Sequence, residues 1–338
     1  MPAASLRAHA TSLATRIAGG QTATPAELVA IATSPDEHVE DLTEGIALLM
    51  DRVAPKGVHL CSISNIKSGH CTEDCSFCSQ ARTSRADIQS YPLHSSERMT
   101  AFLRSSSEAV IHRLSLVASG RRASVNEVNR IAEALRAAGE GRGRCASLGL
   151  LRASDFDVLA AAGLSRYHCN LETSRTHFAQ VCSSHTYDQK LETIAAARDA
   201  GLSLCVGGLF GMGESDEQVL ELALHLREIA PAAVPVNFRV PIAGVALPAS
   251  VGLTPERCLR IIALLRFALP HQDILVCGGR EQCLGGAHPR IFEFGASGIM
   301  TGNYLTTDGR SLEEDLALLD RLGLVVRSGE HPSPTAAR

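Results

Sequence analysis

Apolar residues recur along this chain in two alternating rhythms. Short runs rich in Val, Ile and Leu fall at residues 59–66, 110–118, 144–150, 166–172, 202–210, 234–240, 273–279 and 298–305. Between them lie longer stretches, such as 125–138, 187–200, 217–229, 255–268 and 312–322, in which apolar positions return every three or four residues. The first rhythm is that of buried strands and the second that of amphipathic helices. Ser124 and Thr254 stand where helix N-caps belong, and Glu127, three residues after Ser124, completes a capping box. Alternation of this kind predicts parallel strands joined by crossover helices. Eight such units make a (β/α)8 barrel of the TIM type over 55–326, preceded by a helical segment over 1–54 and followed by a disordered tail over 327–338.

Positions two apart on a strand share a face. Arg113 with Ser115, Cys145 with Ser147, Asn170 with Glu172, Cys205 with Gly207 and Asn237 with Arg239 are therefore expected to point into the barrel together. A barrel interior is ordinarily filled with branched apolar side chains. Thiols, amides and glycines on five strands predict instead a cavity that holds a cofactor and a substrate.

Composition narrows the partners without naming one. The 338 residues carry 45% hydrophobic and 20% charged residues and a formal net charge of -4, which offers no electrostatic reason for a nucleic acid or an anionic membrane. No apolar run reaches membrane-spanning length, and no signal-peptide core is visible at the N-terminus. Eleven cysteines in such a chain point to a reducing compartment and metal use, hence to the cytoplasm.

The densest chemistry is Cys71-Thr72-Glu73-Asp74-Cys75-Ser76-Phe77-Cys78, a C-x3-C-x2-C triplet. A 4Fe-4S cluster ordinarily takes four thiolates, so three leave one iron open. In the radical enzymes that carry this spacing, the amino and carboxylate groups of S-adenosylmethionine close that position. Zinc is the competing reading, with His70 as its fourth ligand. A second, looser group comprises Cys145, Cys205, Cys277 and Cys283, the last two bracketing Arg280. Cys277 and Arg280 face the same way only if Gly278-Gly279 bends the strand. Cys61, Cys169, Cys182 and Cys258 read as packing or surface thiols. The glycines of Cys205-Val206-Gly207-Gly208-Leu209-Phe210-Gly211 allow close approach of backbone to a ligand, but their spacing is not that of a dinucleotide fold, and no phosphate loop is present.

The residues Ser64-Asn65-Ile66-Lys67-Ser68-Gly69 through Gln80, Asn170-Leu171-Glu172-Thr173-Ser174, Val234-Pro235-Val236-Asn237, Gly279-Arg280-Glu281-Gln282 and Gly302-Asn303-Tyr304-Leu305-Thr306-Thr307, taken in order, resemble the biotin synthases of the radical S-adenosylmethionine superfamily. The resemblance implies that Cys71, Cys75 and Cys78 bind the 4Fe-4S cluster. Phe77, Ala118, Asn170, Glu172, Gly207, Gly208 and Leu209 are implied at the S-adenosylmethionine site, and Asn170, Asn237, Thr306 and Thr307 at dethiobiotin. The reaction it implies is sulfur insertion: a 5′-deoxyadenosyl radical abstracts hydrogen from dethiobiotin, and sulfide comes from an auxiliary Fe-S cluster. An external one-electron donor such as flavodoxin or ferredoxin, the Fe-S assembly machinery and a homodimer are implied as partners. In the familiar form three cysteines and an arginine hold a 2Fe-2S auxiliary cluster, matched here by Cys145, Cys205 and Arg280, whereas Ser115 stands where the third cysteine belongs. Cys277, Cys283 or both are expected to replace it, in a cluster of 2Fe-2S or larger size. Two alternatives remain at this point: another radical enzyme on the same scaffold, maturase-like or carbon-skeleton rearranging, and a non-enzymatic Fe-S electron-transfer protein.

Overall fold

A computed structural model describes residues 3–105, 110–247, 252–306 and 308–328. The barrel strands are β1 (His59–Lys67), β2 (Arg113–Ala118), β3 (Gly143–Ser147), β4 (Arg166–His168), β5 (Ser203–Cys205), β6 (Gly208–Phe210), β7 (Ala233–Phe238), β8 (Asp273–Val276) and β9 (Gly298–Met300). All pairings between them are parallel, in the order β5-β4-β3-β2-β1-β9-β8-β7-β6, and a β5–β7 pairing closes the ring. The nine segments make eight staves, because β5 and β6 are the halves of one interrupted strand. The single run expected over 202–210 breaks at Val206-Gly207, opposite Pro235, which has no N–H to give the ladder. The Gly207 amide donates instead to Asn170 Oδ1 at 3.1 Å. A Cβ at Gly207 would lie 1.9 Å from the Pro235 carbonyl oxygen, so only glycine fits.

Several strands are shorter at their C-terminal ends than the hydrophobic pattern predicts. β4 stops at His168 and β9 at Met300, so Asn170, Glu172 and Tyr304 lie on segments that leave the ladder and bend over the barrel mouth. Glu172 adopts φ +71°, a conformation that costs a non-glycine residue of order 1 kcal/mol and turns the chain toward the cavity.

Strand alternation separates two environments. On β2, Leu114 and Leu116 are buried on the helix side, whereas Arg113, Ser115 and Val117 line the interior cavity. The outer layer includes α5 (Val125–Ala138), which buries Val128, Ile131, Ala132 and Leu135 and starts at the Ser124–Glu127 capping box. Thr254 likewise caps the helix Pro255–Ala268. Each leucine so buried contributes about 2 kcal/mol. The helices Ala3–Ala18, Pro25–Ala32 and Thr43–Arg52 precede the first barrel strand. Arg327, assigned from sequence to the tail, is instead held by Asp273 in an ion pair with N···O of 2.6 Å; residues 329–338 lie outside the described residues. Among the described residues no helix is long and apolar enough to cross a membrane.

Candidate active site

The triplet loop leaves β1 through Gly69 and His70, both at positive φ. Local hydrogen bonds fix its path: the Cys78 amide donates to the Cys75 carbonyl at 3.0 Å and the Ser76 amide to that of Val181 at 2.8 Å. The Asp74 carboxylate accepts from the Ser183 hydroxyl and from the Ser183 and Ser184 amides, which hold it well below the usual carboxylate range. Cys71, Cys75 and Cys78 all face a cavity of 470 Å³ that runs down the barrel. Soft thiolates on a preformed loop suit an iron-sulfur cluster.

Phe77, Ala118, Asn170, Glu172 and Leu209 line the same cavity near the triplet. Lys190 Nζ donates to the Asn170 carbonyl at 2.9 Å and stands 4.0 Å from Glu172 Oε1, so a buried cation steadies that carboxylate. Gly207 and Gly208 do not line the cavity. A Cβ at Gly208 would meet Leu222 at 2.7 Å and the Glu172 carbonyl at 2.9 Å; these glycines serve packing between strands rather than approach to a ligand.

Of the expected substrate residues, Asn170, Asn237 and Thr306 border the cavity, and Thr307 lies outside the described residues. Asn237 bridges neighbouring strands, donating to the Gly208 carbonyl at 3.2 Å and accepting from the Gly278 amide at 3.0 Å. Thr306 meets Ser79 of the triplet loop at 3.0 Å.

Farther from the triplet the cavity changes character. Cys61, Cys145, Cys205 and Cys277 come from four staves, and Arg113, Arg166 and Ser115 join them. Cys61 packs against the group that holds Cys277, and interaction with that thiol, together with burial, raises the Cys61 pKa far above its ordinary value. Burial also pushes the Cys205 thiol up, while Arg166 pulls it back. Arg113 Nη1 lies 3.6 Å from Cys145 Sγ. The buried Ser115 hydroxyl has no hydrogen-bond partner, as suits a group that faces a ligand. Four thiols and two guanidiniums in one buried space fit an anionic iron-sulfur cluster.

Two expected ligands are elsewhere. The strand does bend at Gly279, with φ +76°, but in the direction that takes Arg280 away from the cavity. Arg280 is fully buried and donates to Asp315 at 2.6 Å, His288 at 2.9 Å and the Met300 carbonyl at 3.3 Å. Cys283 sits in the short helix Arg280–Leu284, with its Sγ 3.6 Å from the Arg239 carbonyl, and it too is off the cavity. Conversely Cys61, set aside from the sequence as a packing thiol, belongs to the site. Its signal was the alternation His59, Cys61, Ile63, which puts all three on the interior face of β1. Arg166 carried the same signal, two residues before His168.

A family model described as the radical SAM superfamily matches residues 65–226, and one described as the biotin and thiamin synthesis associated domain matches 235–325. The chain is 49% identical over 313 residues to a biotin synthase of Desulfatibacillum aliphaticivorans, covering 92% of this chain and 95% of that one. It belongs to the biotin synthase family. A biotin synthase of Sulfurihydrogenibium is 40% identical over 92% of this chain and 94% of its own. The FeFe-hydrogenase maturase of Carboxydothermus hydrogenoformans superposes with a TM-score of 0.78 over 93% of this chain and 78% of its own, but at 19% identity it shares the fold alone. The maturase-like alternative therefore has the scaffold in common, and the sequence sides with biotin synthase.

Proposed function

We propose that this chain makes biotin from dethiobiotin with Cys71, Cys75 and Cys78 holding the radical-generating 4Fe-4S cluster, and Cys61, Cys145, Cys205 and Cys277 holding the auxiliary cluster. The observation that carries this is one shared cavity lined by the triplet and by five further thiols, Cys169 and the four named for the auxiliary cluster. When bound, S-adenosylmethionine on the first cluster supplies a 5′-deoxyadenosyl radical, and the auxiliary cluster supplies sulfur. The chain supplies position, charge and dryness.

Phe77, Ala118 and Leu209 give the adenosyl group an apolar wall, and Glu172 and Asn170 give it polar partners. Asn237 and Thr306 border the space between the two thiol groups, where dethiobiotin has to lie for its carbons to meet the radical on one side and sulfide on the other. Hydrogen-atom abstraction needs no side-chain base, which accords with the absence of any such group from this proposal. Arg113 and Arg166 offset the negative charge of a thiolate-bound cluster in a medium where an unpaired charge is costly. Interaction with Cys277 and burial keep the Cys61 thiol protonated in the metal-free chain, and burial does so for Cys205, so cluster insertion must release those protons. An external one-electron donor, an Fe-S assembly system, a cytoplasmic setting and a homodimer complete the reading.

The test is anaerobic incubation of the reconstituted chain with reductant, S-adenosylmethionine and dethiobiotin. Biotin together with 5′-deoxyadenosine is expected; deoxyadenosine without biotin overturns the sulfur-insertion reading. Iron and sulfide analysis with Mössbauer spectra of a Cys71→Ala/Cys75→Ala/Cys78→Ala chain tests the second cluster separately. Absence of iron there would remove it.

A further inference from the structure

Beside the triplet, and sharing one of its thiols, lies a second donor set. Cys182 Sγ is 3.7 Å from Cys75 Sγ, and His185 Nδ1 and Nε2 are 3.3 and 3.8 Å from Cys182 Sγ. Ligand atoms of Cys75, Cys182 and His185 all fall within 4.8 Å of one another, and among the described residues no other three His, Cys, Asp or Glu do so. A tetrahedral zinc-like ion with bonds of ~2.3 Å to sulfur and ~2.0 Å to nitrogen places two thiolates about 3.8 Å apart and a thiolate and imidazole about 3.5 Å apart. A four-iron cluster gives each thiolate its own iron and has no place for two sulfurs on one metal.

The histidine has the support that such use needs. Its Nδ1 lies 2.7 Å from Glu73 Oε2 and 3.3 Å from Cys182 Sγ; a carboxylate that holds Nδ1 orients the imidazole and leaves coordination to Nε2. The Phe178 ring meets the imidazole edge-on with centroids 5.6 Å apart, and both His185 and Glu73 side chains are only 8% exposed. Cys182 follows the helix Arg175–Val181 directly, so its thiol is anchored by secondary structure.

We propose that, in the cluster-free chain, Cys75, Cys182 and His185 bind one thiolate-preferring divalent cation, ferrous iron or zinc, at a site that excludes the 4Fe-4S cluster because both require Cys75. Binding replaces the S–H···S hydrogen bond from Cys75 to Cys182 with two metal-sulfur bonds, releases the bridging proton and changes no oxidation state. Ferrous iron held there is a first iron delivered beside the triplet; zinc held there blocks the triplet. The site rests on the functional reading only for the assignment of Cys75 to the cluster.

The experiment uses the full chain, stripped of metal and kept reduced under argon, titrated with cobalt(II), zinc and ferrous iron. One equivalent of cobalt is expected to give thiolate charge-transfer and intense tetrahedral visible bands, displaced by zinc. Cys182→Ser and His185→Gln are each expected to weaken binding by at least ~10-fold, and Glu73→Gln by ~10–100-fold, the range for a lost supporting carboxylate. Cys71→Ala/Cys78→Ala is expected to leave cobalt binding intact. Zinc-loaded wild type is expected to take up no cluster at the triplet on reconstitution, whereas zinc-treated His185→Gln does. Unchanged affinity in both Cys182→Ser and His185→Gln places the ion in the triplet or among the deeper thiols, loss of the signal in Cys71→Ala/Cys78→Ala places it in the triplet, and either overturns the proposal; His185→Gln decides alone if Cys182→Ser does not fold. No arm uses substrate, so a chain that binds cobalt here yet makes no biotin sinks the functional reading and leaves the site standing.

Discussion

Arg280 offers the sharpest test of the revised auxiliary site, because sequence and structure assign it different work. In the structure its guanidinium and the Asp315 carboxylate are both 0% exposed and 2.6 Å apart, with His288 and the Met300 carbonyl taking other N–H groups. Asp315 is also bound by Arg310 at 3.0 Å, so the network ties the helix Arg280–Leu284 to the helix Leu312–Arg321 beyond the last strand. Removing one partner of a buried pair leaves an uncompensated charge and costs about 3–5 kcal/mol. Asp315→Ala and Arg280→Met are expected to destabilise by that amount. For a chain of 338 residues with an unfolding entropy of about 2.1 cal/mol/K per residue, this lowers Tm by about 4–7 °C. Arg280→Met/Asp315→Leu, which removes both charges, is expected to recover most of the loss, since apolar replacement of a buried pair is often neutral or stabilising.

The assay has two readouts on the same variants. Chemical and thermal unfolding of the cluster-free chain measure the structural part. Iron content of the chain lacking Cys71, Cys75 and Cys78 measures the auxiliary part. A structural Arg280 moves the first and leaves the iron per folded chain unchanged, including in the double variant. If Arg280→Met stays within about 1 kcal/mol of wild type while the auxiliary iron is lost, the reasoning fails and Arg280 is a ligand after all.

In the same triplet-free background, Cys61→Ala and Cys277→Ala are each expected to lose the auxiliary iron and Cys283→Ala to retain it, read by iron analysis and Mössbauer spectra. Gly279→Ala is expected to destabilise by more than about 1 kcal/mol in denaturant unfolding, because its φ is +76° and the added Cβ would lie 1.9 Å from the Phe238 carbonyl oxygen; wild-type stability would refute the strain argument. His59 is buried against His112, and burial drives its pKa down to about 3. The unfolded chain therefore binds the extra proton, so stability from this group is full above about pH 6.5 and falls as pH drops toward 3, with a limiting slope of about 1.4 kcal/mol per pH unit. Denaturant titrations of the cluster-free chain across that window should show a smaller slope in His59→Asn, and an unchanged slope would remove His59 as the cause.

What was legible in the sequence was what period and spacing encode. Parallel strands buried on both faces announce themselves as apolar runs, and the helices between them by their caps, so the eight staves and the Ser124 start were readable. The triplet was readable because its ligands are local. Strand ends were not, because at the C-terminal edge of a barrel the chain keeps its apolar composition while leaving the ladder to reach over the cavity, as at Asn170 and Tyr304. The break at Val206-Gly207 was also hidden: it depends on Pro235, a residue on the neighbouring stave, nearly thirty positions away in sequence.

The auxiliary site shows where residue-by-residue transfer from a family gives way to geometry. A motif position fixes an element, but the face a side chain occupies depends on local φ and on the partners within reach. Arg280 follows a glycine at positive φ and has Asp315 and His288 beside it, so its charge is compensated without the cavity. Cys61 belongs to no ligand set implied by the family resemblance, yet it stands in register with Arg113 on one side and Met300 on the other, both of which line the cavity. Apart from the triplet and Cys169, which follows β4, the cavity thiols are Cys61, Cys145, Cys205 and Cys277, four from four staves. Four thiolates satisfy an iron-sulfur cluster without an arginine ligand. On the proposed ligand set the substitution at Ser115 is no deficit, because a thiol from the adjacent stave, β1, restores the count and leaves the unpartnered serine hydroxyl facing the cavity.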